Sequence, residues 1–534
     1  MDNKLLLTSV FKPFGVDDEF GRKENVCELM QNQVTRGQGI FSLRSNQRSF
    51  ALKFLAENLK IPATVLDFPR LEDFLKELKN GKYSHVGISF IVPNFEKAKY
   101  MAMLVRKESP GTKIILGGHG VAISNIEELI PCDAVCRGEG IRWLRRYFGE
   151  PEFSPIVHPV MTVDCYRRIL GVPSPNPKAL LVIGVGCSNR CDFCCTSHFF
   201  EGYSSYFQSA DEIFQTMCNI SDKLKTDEFF VFDENFLSDE KKTSRLLELM
   251  RSHNRHFKLD IFSSPDAVAR YPLEVLIGLG IYFIWIGVES KIPIYSKTKG
   301  IDLKKLIGNL QSHGISVLAS AILFLEKHDR KSLQEDIDHV IGLKPDLIQF
   351  MELCPLPGTT LFKKLHNEEK ILYEITLMDW HGQDKIWFKH NVFSRNETKQ
   401  ILDSAFEKEY LTLGPSFLRI AESRISGVET GPLNVNDQFL YNRHLDLIRL
   451  TKEMRPLLRA FIKFSPNDEI KKKARSVEER FRKNFGSPTL LESWLSIIVL
   501  FAAHLERRKW RLGKVMHQPP TFIERYRQGS SSHS

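Results

Sequence analysis

The 534 residues are enough for two to four domains, each with its own core. A hydrophobic content of 42% and a charged content of 26% are ordinary for a soluble globular protein. The net charge of +9, from 74 Lys and Arg against 65 Asp and Glu, is spread thinly before the C-terminal region. Because no clustered basic stripe with aromatics occurs before residue 440, we expect no nucleic-acid partner.

The cysteines and the N-terminus indicate a reducing compartment. Four of the ten cysteines fall within residues 187–195, a pattern unlike the disulfide framework of a secreted protein. Residues 1–10 run into charged residues without a signal-peptide core or a cleavage site. The longest apolar run, 494–503, is too short to span a bilayer. We therefore expect a cytoplasmic protein, with membrane association only at the periphery.

Residues 1–150 alternate strand-like and helix-like segments. The helical periodicity is clearest over 94–109 and 141–148. Alternation at this spacing predicts a doubly wound, Rossmann-like parallel sheet, which binds ligands at the carboxyl ends of its strands. The predicted strands are 63–68, 86–92, 113–116 and 134–136.

A proline-rich segment, 151–178, with Pro173, Pro175 and Pro177, is predicted to be a linker. The alternation resumes over 179–370, where six strand–helix units are too few for a closed eight-fold barrel. We therefore predict an open, partial (β/α)6 barrel with its chemistry at the carboxyl ends of the strands. The predicted strands are 179–185, 228–232, 258–262, 283–288, 316–324 and 347–351.

Residues 371–534 lose the alternation and are predicted to be mainly helical, with helices at 401–413, 445–464 and 470–485. The low-complexity tail 528–534 is predicted to be disordered. The fold class is therefore α/β, with a helical C-terminal extension.

Cys187, Cys191 and Cys194 form a C-x3-C-x2-C triplet at the end of the first predicted barrel strand. Three thiolates at this spacing suit a cubane iron–sulfur cluster, which needs four ligands and would keep one iron open for another molecule. A structural zinc is the alternative, with Cys195 or His198 as its fourth ligand. The position at a strand end favours the cluster.

The triplet, with Phe193 before its last cysteine, resembles the signature loop of the radical S-adenosylmethionine (SAM) superfamily. The resemblance implies that the three cysteines hold a [4Fe–4S] cluster and that SAM chelates the open iron. It also implies reductive cleavage of SAM to a 5′-deoxyadenosyl radical, with electrons from a donor such as flavodoxin or ferredoxin.

Further candidate SAM contacts follow the next strands. Glu234 stands where the family carries a Gly-Gly-Glu-like segment for the methionine amino group, although a helix N-cap is the alternative. Glu289 and Ser290 belong to a Gly-Val-Glu-Ser segment that resembles the family's Gly-x-Glu-Ser/Thr. Ser263 and Ser320, at the third and fifth strands, are candidates for the ribose or nearby groups.

A Pro-Leu-Pro-Gly-Thr turn at 355–359 resembles one seen in radical SAM members that also carry a cobalamin domain. In residues 1–150, a Ser-Phe-Ile segment, a Gly-Gly pair and an Arg-Gly-Glu turn resemble elements of that domain. The family's Asp-x-His-x-x-Gly element is absent, so the resemblance implies cobalamin without a lower histidine ligand from that motif. The candidate cobalamin contacts are Ser89, Gly117, Gly118, Gly138 and Glu139.

The alternative for residues 1–150 is a degenerate Rossmann domain that has lost its cofactor. His119, in Gly-Gly-His-Gly, is expected at the domain interface rather than on cobalt. The acidic segment 17–19 either lines the cofactor crevice or forms a solvated turn.

Two segments of the C-terminal region invite opposite interpretations. The aromatic and histidine cluster at 380–390 either closes the barrel over a substrate or is ordinary core. The apolar run 494–503, followed by cationic residues 507–511, is either an interfacial membrane helix or a buried helix with a charged end.

The resemblance as a whole implies a cobalamin-dependent radical SAM enzyme that modifies an unactivated carbon of a small-molecule or lipid-like substrate. Methyl transfer is the leading reaction. Cyclisation, rearrangement, carbon–carbon coupling and a catalytically silent binding protein remain alternatives.

Overall fold

The computed structural model describes residues 4–174, 177–292, 296–513 and 517–527. Pro175 of the predicted linker and the tail 528–534 lie outside the described residues. Within them, no helix is long and apolar enough to cross a membrane.

The N-terminal sheet has six strands, and five of them are parallel. Its central strand, Leu5–Ser9, was not predicted, because three consecutive leucines buried on both faces show no alternation. In spatial order the parallel strands are Ala63–Asp67, Leu5–Ser9, His85–Ser89, Lys113–Gly117 and Ala134–Val135. The main helices beside them are Phe50–Glu57, Leu71–Gly81, Phe95–Glu108 and Gly140–Tyr147.

The second sheet is all-parallel, and its six strands lie in chain order. Its first and last strands pair with only one neighbour each among the described residues, so the sheet is open. The strands are Ala179–Val182, Glu228–Phe232, Lys258–Phe262, Ile281–Glu289, Ser316–Leu323 and Leu347–Glu352. The helices between them include Ala210–Leu224, Glu240–Ser252, Leu303–Ser312 and Arg330–Gly342. The α/β class is confirmed.

One apolar core continues through both sheets. Leu6 and Val86 of the N-terminal sheet and Leu181 and Ile284 of the second sheet are fully buried members of the same cluster. A continuous core of this kind fixes the relative position of the two sheets and of the loops at their carboxyl ends.

The predicted linker is partly a sheet. Strands Asp164–Ile169 and Val172–Pro173 join Arg44–Gln47 in a small antiparallel sheet. Sequence periodicity missed these strands because polar side chains hold them: the Glu28 carboxylate accepts hydrogen bonds from Arg44 and from the Tyr166 hydroxyl, and Glu28 and Arg44 are buried.

The C-terminal region is mainly helical from residue 395 to residue 511. The predicted helix 445–464 is interrupted at Pro456, because proline has no amide hydrogen to donate inside a helix. The helices are Arg395–Leu413, Ser416–Thr430, Gln438–Lys452, Leu458–Lys463, Asp468–Phe485 and Leu490–Arg511.

The chain then returns to the N-terminal sheet. Strand Phe522–Tyr526, which the mainly helical prediction for residues 371–534 did not include, pairs antiparallel with Ala63–Asp67 at the outer edge. Arg525 donates to the Glu77 carboxylate at 2.8 Å, and Lys53 pairs with Glu524 at 2.9 Å. The strand was missed because it is short and half-exposed, and a partner far away in sequence stabilises it.

Candidate functional site

Two cavities lie at the carboxyl edges of the two parallel sheets. The larger cavity, of about 610 Å³, lies between the N-terminal sheet and the second sheet. The smaller cavity, of about 310 Å³, lies at the mouth of the second sheet. Glu234 lines both cavities. Both volumes are in or near the range of ligand sites in proteins.

The cysteine loop begins in a two-stranded ladder, in which Gly184–Val185 pairs with Ser204–Ser205. Gly186 follows with a φ of +80°, and a Cβ there would overlap the carbonyl oxygen of Gly202. Only glycine fits a left-handed position in such close contact. The ladder and this glycine direct the loop across the end of the first barrel strand.

The three cysteines of the triplet line the smaller cavity. Burial, with Glu234 and the other two thiols nearby, raises the pKa of Cys187 to about 11, against an opposing backbone hydrogen bond from Asn189. Burial also raises the pKa of Cys191, and Lys297 opposes the shift. These thiols therefore need a bound cation or metal group to become thiolates near neutral pH.

A zinc site receives no support from the geometry. Across the described parts of the chain, no three His, Cys, Asp or Glu side chains are arranged to hold a single metal ion. Neither Cys195 nor His198 lines the smaller cavity. A cubane cluster makes a different demand, since each of its cysteine ligands binds a different iron.

Glu289 ends the fourth strand in a strained conformation. Its φ is +62°, and the pairing register with the fifth strand shifts between Gly287 and Glu289. The buried carboxylate accepts a hydrogen bond from the Lys297 ammonium, which lines the same cavity. A Cβ at Gly287 would overlap Glu289 and lie 2.7 Å from the Lys297 Nζ. Backbone strain that neighbouring contacts maintain is a frequent mark of ligand sites.

Lys297 was missed at the sequence level. It follows Glu289 by eight residues, outside any helical or strand periodicity, and only the fold places its ammonium on the carboxylate. The sequence did contain one signal for Lys297: Gly287 of the Gly-x-Glu segment has no side chain and so leaves room for the Glu289–Lys297 pair.

Glu234 is not a helix N-cap. The cap of the following short 3₁₀ helix is Asn235, and the cap of helix Glu240–Ser252 is Asp239. The Glu234 side chain is exposed to the two cavities. Burial in the surrounding protein, with the adjacent Asp233 carboxylate, raises its pKa to about 7.

Asn235 joins the ends of the second and third strands beneath Glu234. Its side-chain oxygen accepts from the Ser263 hydroxyl at 2.9 Å and from the Ser264 amide at 3.0 Å. Asp233 accepts from the Tyr203 hydroxyl at 2.8 Å. Ser263 therefore lines the smaller cavity with its hydroxyl already donated to a neighbour.

The fifth strand forms the floor of this cavity. Ser320 lines it, accepts from the Trp285 indole and donates to the Gln349 side chain at 2.8 Å. Ser290 is placed elsewhere: it is buried, and its hydroxyl accepts from the Ile292 amide at 3.0 Å and donates to Asp336. The structure thus brings Glu234, Ser263, Glu289 and Ser320 to one cavity and does not bring Ser290 there.

All five candidate cobalamin residues line the larger cavity, and they are Ser89, Gly117, Gly118, Gly138 and Glu139. Gly118 has a φ of +83°, and a Cβ there would lie 2.5 Å from the Phe90 carbonyl oxygen. The Glu139 carboxylate caps helix Gly140–Tyr147 by accepting the amides of Ile141 and Arg142 at 2.8 and 2.9 Å.

Aromatic side chains also line the larger cavity. Phe50 and Phe54 come from helix Phe50–Glu57, and Phe199, Phe200 and Phe232 come from the second sheet's side. Flat apolar walls facing strand ends with little side-chain bulk suit a flat ligand.

His119 lies at the interface of the two sheets, as predicted. Its ring centroid is 4.6 Å from that of Phe199 and 5.7 Å from that of Phe200. Burial lowers the pKa of His119 to about 4, so the imidazole is neutral. Among the described residues that line the larger cavity, it is the only histidine.

The structure decides between the alternative interpretations of segments 17–19 and 380–390. The acidic segment 17–19 is exposed and forms a turn, in which Asp18 accepts from the Phe20 amide at 2.8 Å. In the 380–390 cluster, Trp380 and Trp387 are stacked with centroids 5.8 Å apart and are buried. Both belong to the main core, so ordinary core is the correct interpretation for these aromatics.

Together, two sheets with cavities at the carboxyl edges of their parallel strands define an α/β protein with two candidate ligand sites. Neither a family model nor a curated protein sequence matches the chain. A solved structure does: the radical S-adenosylmethionine methyltransferase TsrM from Kitasatospora setae, with cobalamin and a [4Fe–4S] cluster bound.

The alignment with this TsrM structure covers 85% of this chain and 100% of that chain, at 11% identity and a TM-score of 0.50. Another TsrM structure, with tryptophan substrate and the SAM analogue aza-SAM bound, covers 77% and 89% at 13% identity and a TM-score of 0.49. At 11% identity this likeness shows a shared fold.

Proposed function

We propose that this chain is a cobalamin-dependent radical SAM enzyme that transfers a methyl group to an unactivated carbon of a small-molecule substrate. Residues 1–150 are the cobalamin-binding domain, 151–178 connect it to the SAM barrel at 179–370, and 371–534 form the C-terminal extension. The single observation that carries the proposal is the adjacency of two cavities, one lined by the cysteine triplet and the other by strand-end glycines, with Glu234 between them.

The residues present fit the cofactors. The three thiols of the triplet match a [4Fe–4S] cluster with one iron reserved for SAM. The fourth cysteine that lines the smaller cavity, Cys354, donates a hydrogen bond to the Glu352 carbonyl at 3.0 Å. The larger cavity offers backbone and aromatic walls to a flat macrocycle. When bound, cluster and SAM supply a carbon radical, and cobalamin supplies a methyl group.

The Glu289–Lys297 pair suits the zwitterionic end of SAM. A carboxylate and an ammonium side by side complement the amino and carboxylate groups of an amino acid. Ser263 and Ser320 present polar groups at the third and fifth strands for the ribose. Ser290 would act indirectly, by holding the loop after Glu289 through Asp336.

Glu234 stands where ligands of the two cavities would meet. Its carboxylate is proposed to bind the SAM amine or to orient the substrate between the radical source and the methyl source. An electron donor such as flavodoxin or ferredoxin would reach the cluster from outside the chain, in the cytoplasm.

Anaerobic reconstitution with iron, sulfide and cobalamin, followed by SAM and a strong reductant, tests the proposal. We expect about four irons per chain with cubane absorption, bound corrin, and both 5′-deoxyadenosine and S-adenosylhomocysteine as products. Formation of 5′-deoxyadenosine alone would leave cyclisation, rearrangement or coupling. A complete cluster without SAM cleavage would indicate a catalytically silent protein.

A further inference from the structure

The last long helix, Leu490–Arg511, exposes an apolar face. Trp494 is 67% exposed and Phe501 is 65% exposed. Of the 23 large hydrophobic residues exposed among the described residues, eight belong to this one helix. Such a concentration differs from the scattered single residues that are normal on a surface. We name these eight residues the apolar stripe: Leu490, Leu491, Trp494, Leu495, Ile497, Ile498, Phe501 and Leu505.

The apolar stripe faces outward because the opposite side of the helix is packed against the rest of the protein. Val499 and Ala503 are buried in a core cluster that includes Phe41 and Leu458. The interpretation of 494–503 as a buried helix is therefore wrong for most of its large side chains. The three- and four-residue spacing of the stripe places its members on one side of the helix.

The acidic and the cationic residues of the helix differ in exposure, and every residue of Leu490–Arg511 is described. The two acidic residues face the protein: Glu492 pairs with Arg455 at 3.4 Å, and Glu506 is buried. The exposed charged residues are all cationic. They occupy the C-terminal turns and are Arg507, Arg508, Lys509 and Arg511.

We propose that this helix docks in the plane of an anionic lipid bilayer, with the apolar stripe in the headgroup–acyl boundary and the cationic turns on the lipid phosphates. An apolar face with tryptophan and flanking Arg and Lys is the composition of an interfacial helix. At 22 residues the helix is about 33 Å long, so it offers an extended contact.

A second copy of the chain fits the surface less well. A two-fold pair of stripes would bring cationic turns opposite a helix that exposes no acidic residue, so the charges would have no complement. Anionic headgroups supply that complement. The proposal is independent of the chemistry assigned to the two cavities.

Co-sedimentation of the full chain with phosphatidylcholine vesicles, with and without about one-third phosphatidylglycerol, tests the proposal. We expect binding to the anionic vesicles, weakened several-fold in about 0.5 M salt. Of the six tryptophans, Trp494 is exposed and the other five are buried or half-buried, so bromine-labelled lipids should quench its emission. W494F should remove that quenching.

Matched variants separate docking from folding. F501E should reduce the vesicle-bound fraction at least about tenfold, whereas F153E, at an aromatic that is 80% exposed elsewhere, should have no effect. R508E/R511E should abolish the preference for anionic lipid, and K304E/K305E, on another exposed pair, should preserve it. All four variants should keep the wild-type unfolding midpoint, because the positions are exposed.

Two results would overturn the proposal. One is equal and negligible binding to both vesicle types by a monomeric chain. The other is a concentration-dependent dimer that F501E dissociates while vesicles do not compete, which would assign the stripe to an interface between copies.

Discussion

The two large sheets present different residue types at the carboxyl ends of their parallel strands. The N-terminal sheet meets its cavity with glycines, a serine and aromatic walls, and the charge of Glu139 is used to cap a helix. The second sheet meets its cavity with thiols, carboxylates and an ammonium. The first site can recognise shape through backbone and apolar surface, and the second can bind charge and metal. Glu234 lines both cavities. Substitutions of residues that line only one cavity should therefore affect only the ligand proposed for that cavity.

The largest expected effect is on the thiol side. C191A removes a proposed cluster ligand and should abolish 5′-deoxyadenosine formation, with iron content falling well below that of the wild type. Corrin retention should persist, because no residue of the glycine side changes. Loss of corrin and iron together would contradict independent sites. C195A, a neighbour outside the smaller cavity, is the matched control and should keep both groups.

On the glycine side, G118A should release cobalamin and preserve the cluster. A Cβ at a φ of +83° and 2.5 Å from the Phe90 carbonyl oxygen forces the chain to move, at a cost of about 1–3 kcal/mol. Corrin absorbance after gel filtration and urea unfolding measure the two consequences.

G149A provides the control for that strain. Gly149 has a φ of +70°, yet a Cβ there meets no atom within 4 Å, so only the conformational cost of about 1 kcal/mol applies. Corrin retention by G149A at wild-type level, together with its loss in G118A, assigns the effect to the cavity wall. Equal corrin loss in both variants would argue against it.

The Glu289–Lys297 pair should affect SAM and not cobalamin. K297M should weaken SAM binding by about tenfold or more, because it removes an ammonium from the cavity and leaves a buried carboxylate unpaired. Equilibrium dialysis with labelled SAM measures the change. K291M, at an exposed lysine paired with Glu335 at 3.2 Å, should bind SAM normally. Unchanged binding by K297M would remove the pair from the SAM site.

A smaller effect concerns pH. The pKa of Glu234 is raised from an ordinary 4.5 to about 7, so between these values the folded chain holds a proton that the unfolded chain has released. The free energy of unfolding should therefore decline as pH rises from about 5 to 7. Because the side chain faces cavities that water can enter, we expect less than about 1 kcal/mol. Urea unfolding of the cofactor-free chain should show this decline in the wild type and lose it in E234Q.

The smallest expected effect is that of H119A. If the histidine only packs between Phe199 and Phe200, the visible spectrum of bound corrin should be the same in this variant as in the wild type. A spectral shift in H119A would make His119 a cobalt ligand.

Local sequence patterns determined much of this protein. Strands Glu228–Phe232 and Lys258–Phe262 were located to the residue, because each is a short apolar segment with clear ends. The sequence also identified the cysteine triplet and the strand-end glycines as candidate site residues, because the spacing within each motif is local.

Strands and side-chain contacts that form between residues far apart in the chain were decided only by the tertiary structure. Leu5–Ser9 is the central strand because it pairs with a strand on each side. Phe522–Tyr526 is a strand because it pairs with an edge strand that is more than 450 residues away in sequence: Arg525 and Thr64, which are hydrogen-bonded, are 461 residues apart. The pairing of Lys297 with Glu289 occurs where the register of the fourth strand shifts, which the sequence does not reveal. Which side of helix Leu490–Arg511 faces outward was likewise open in the sequence, because both sides carry apolar residues and only the packing of Val499 and Ala503 selects one.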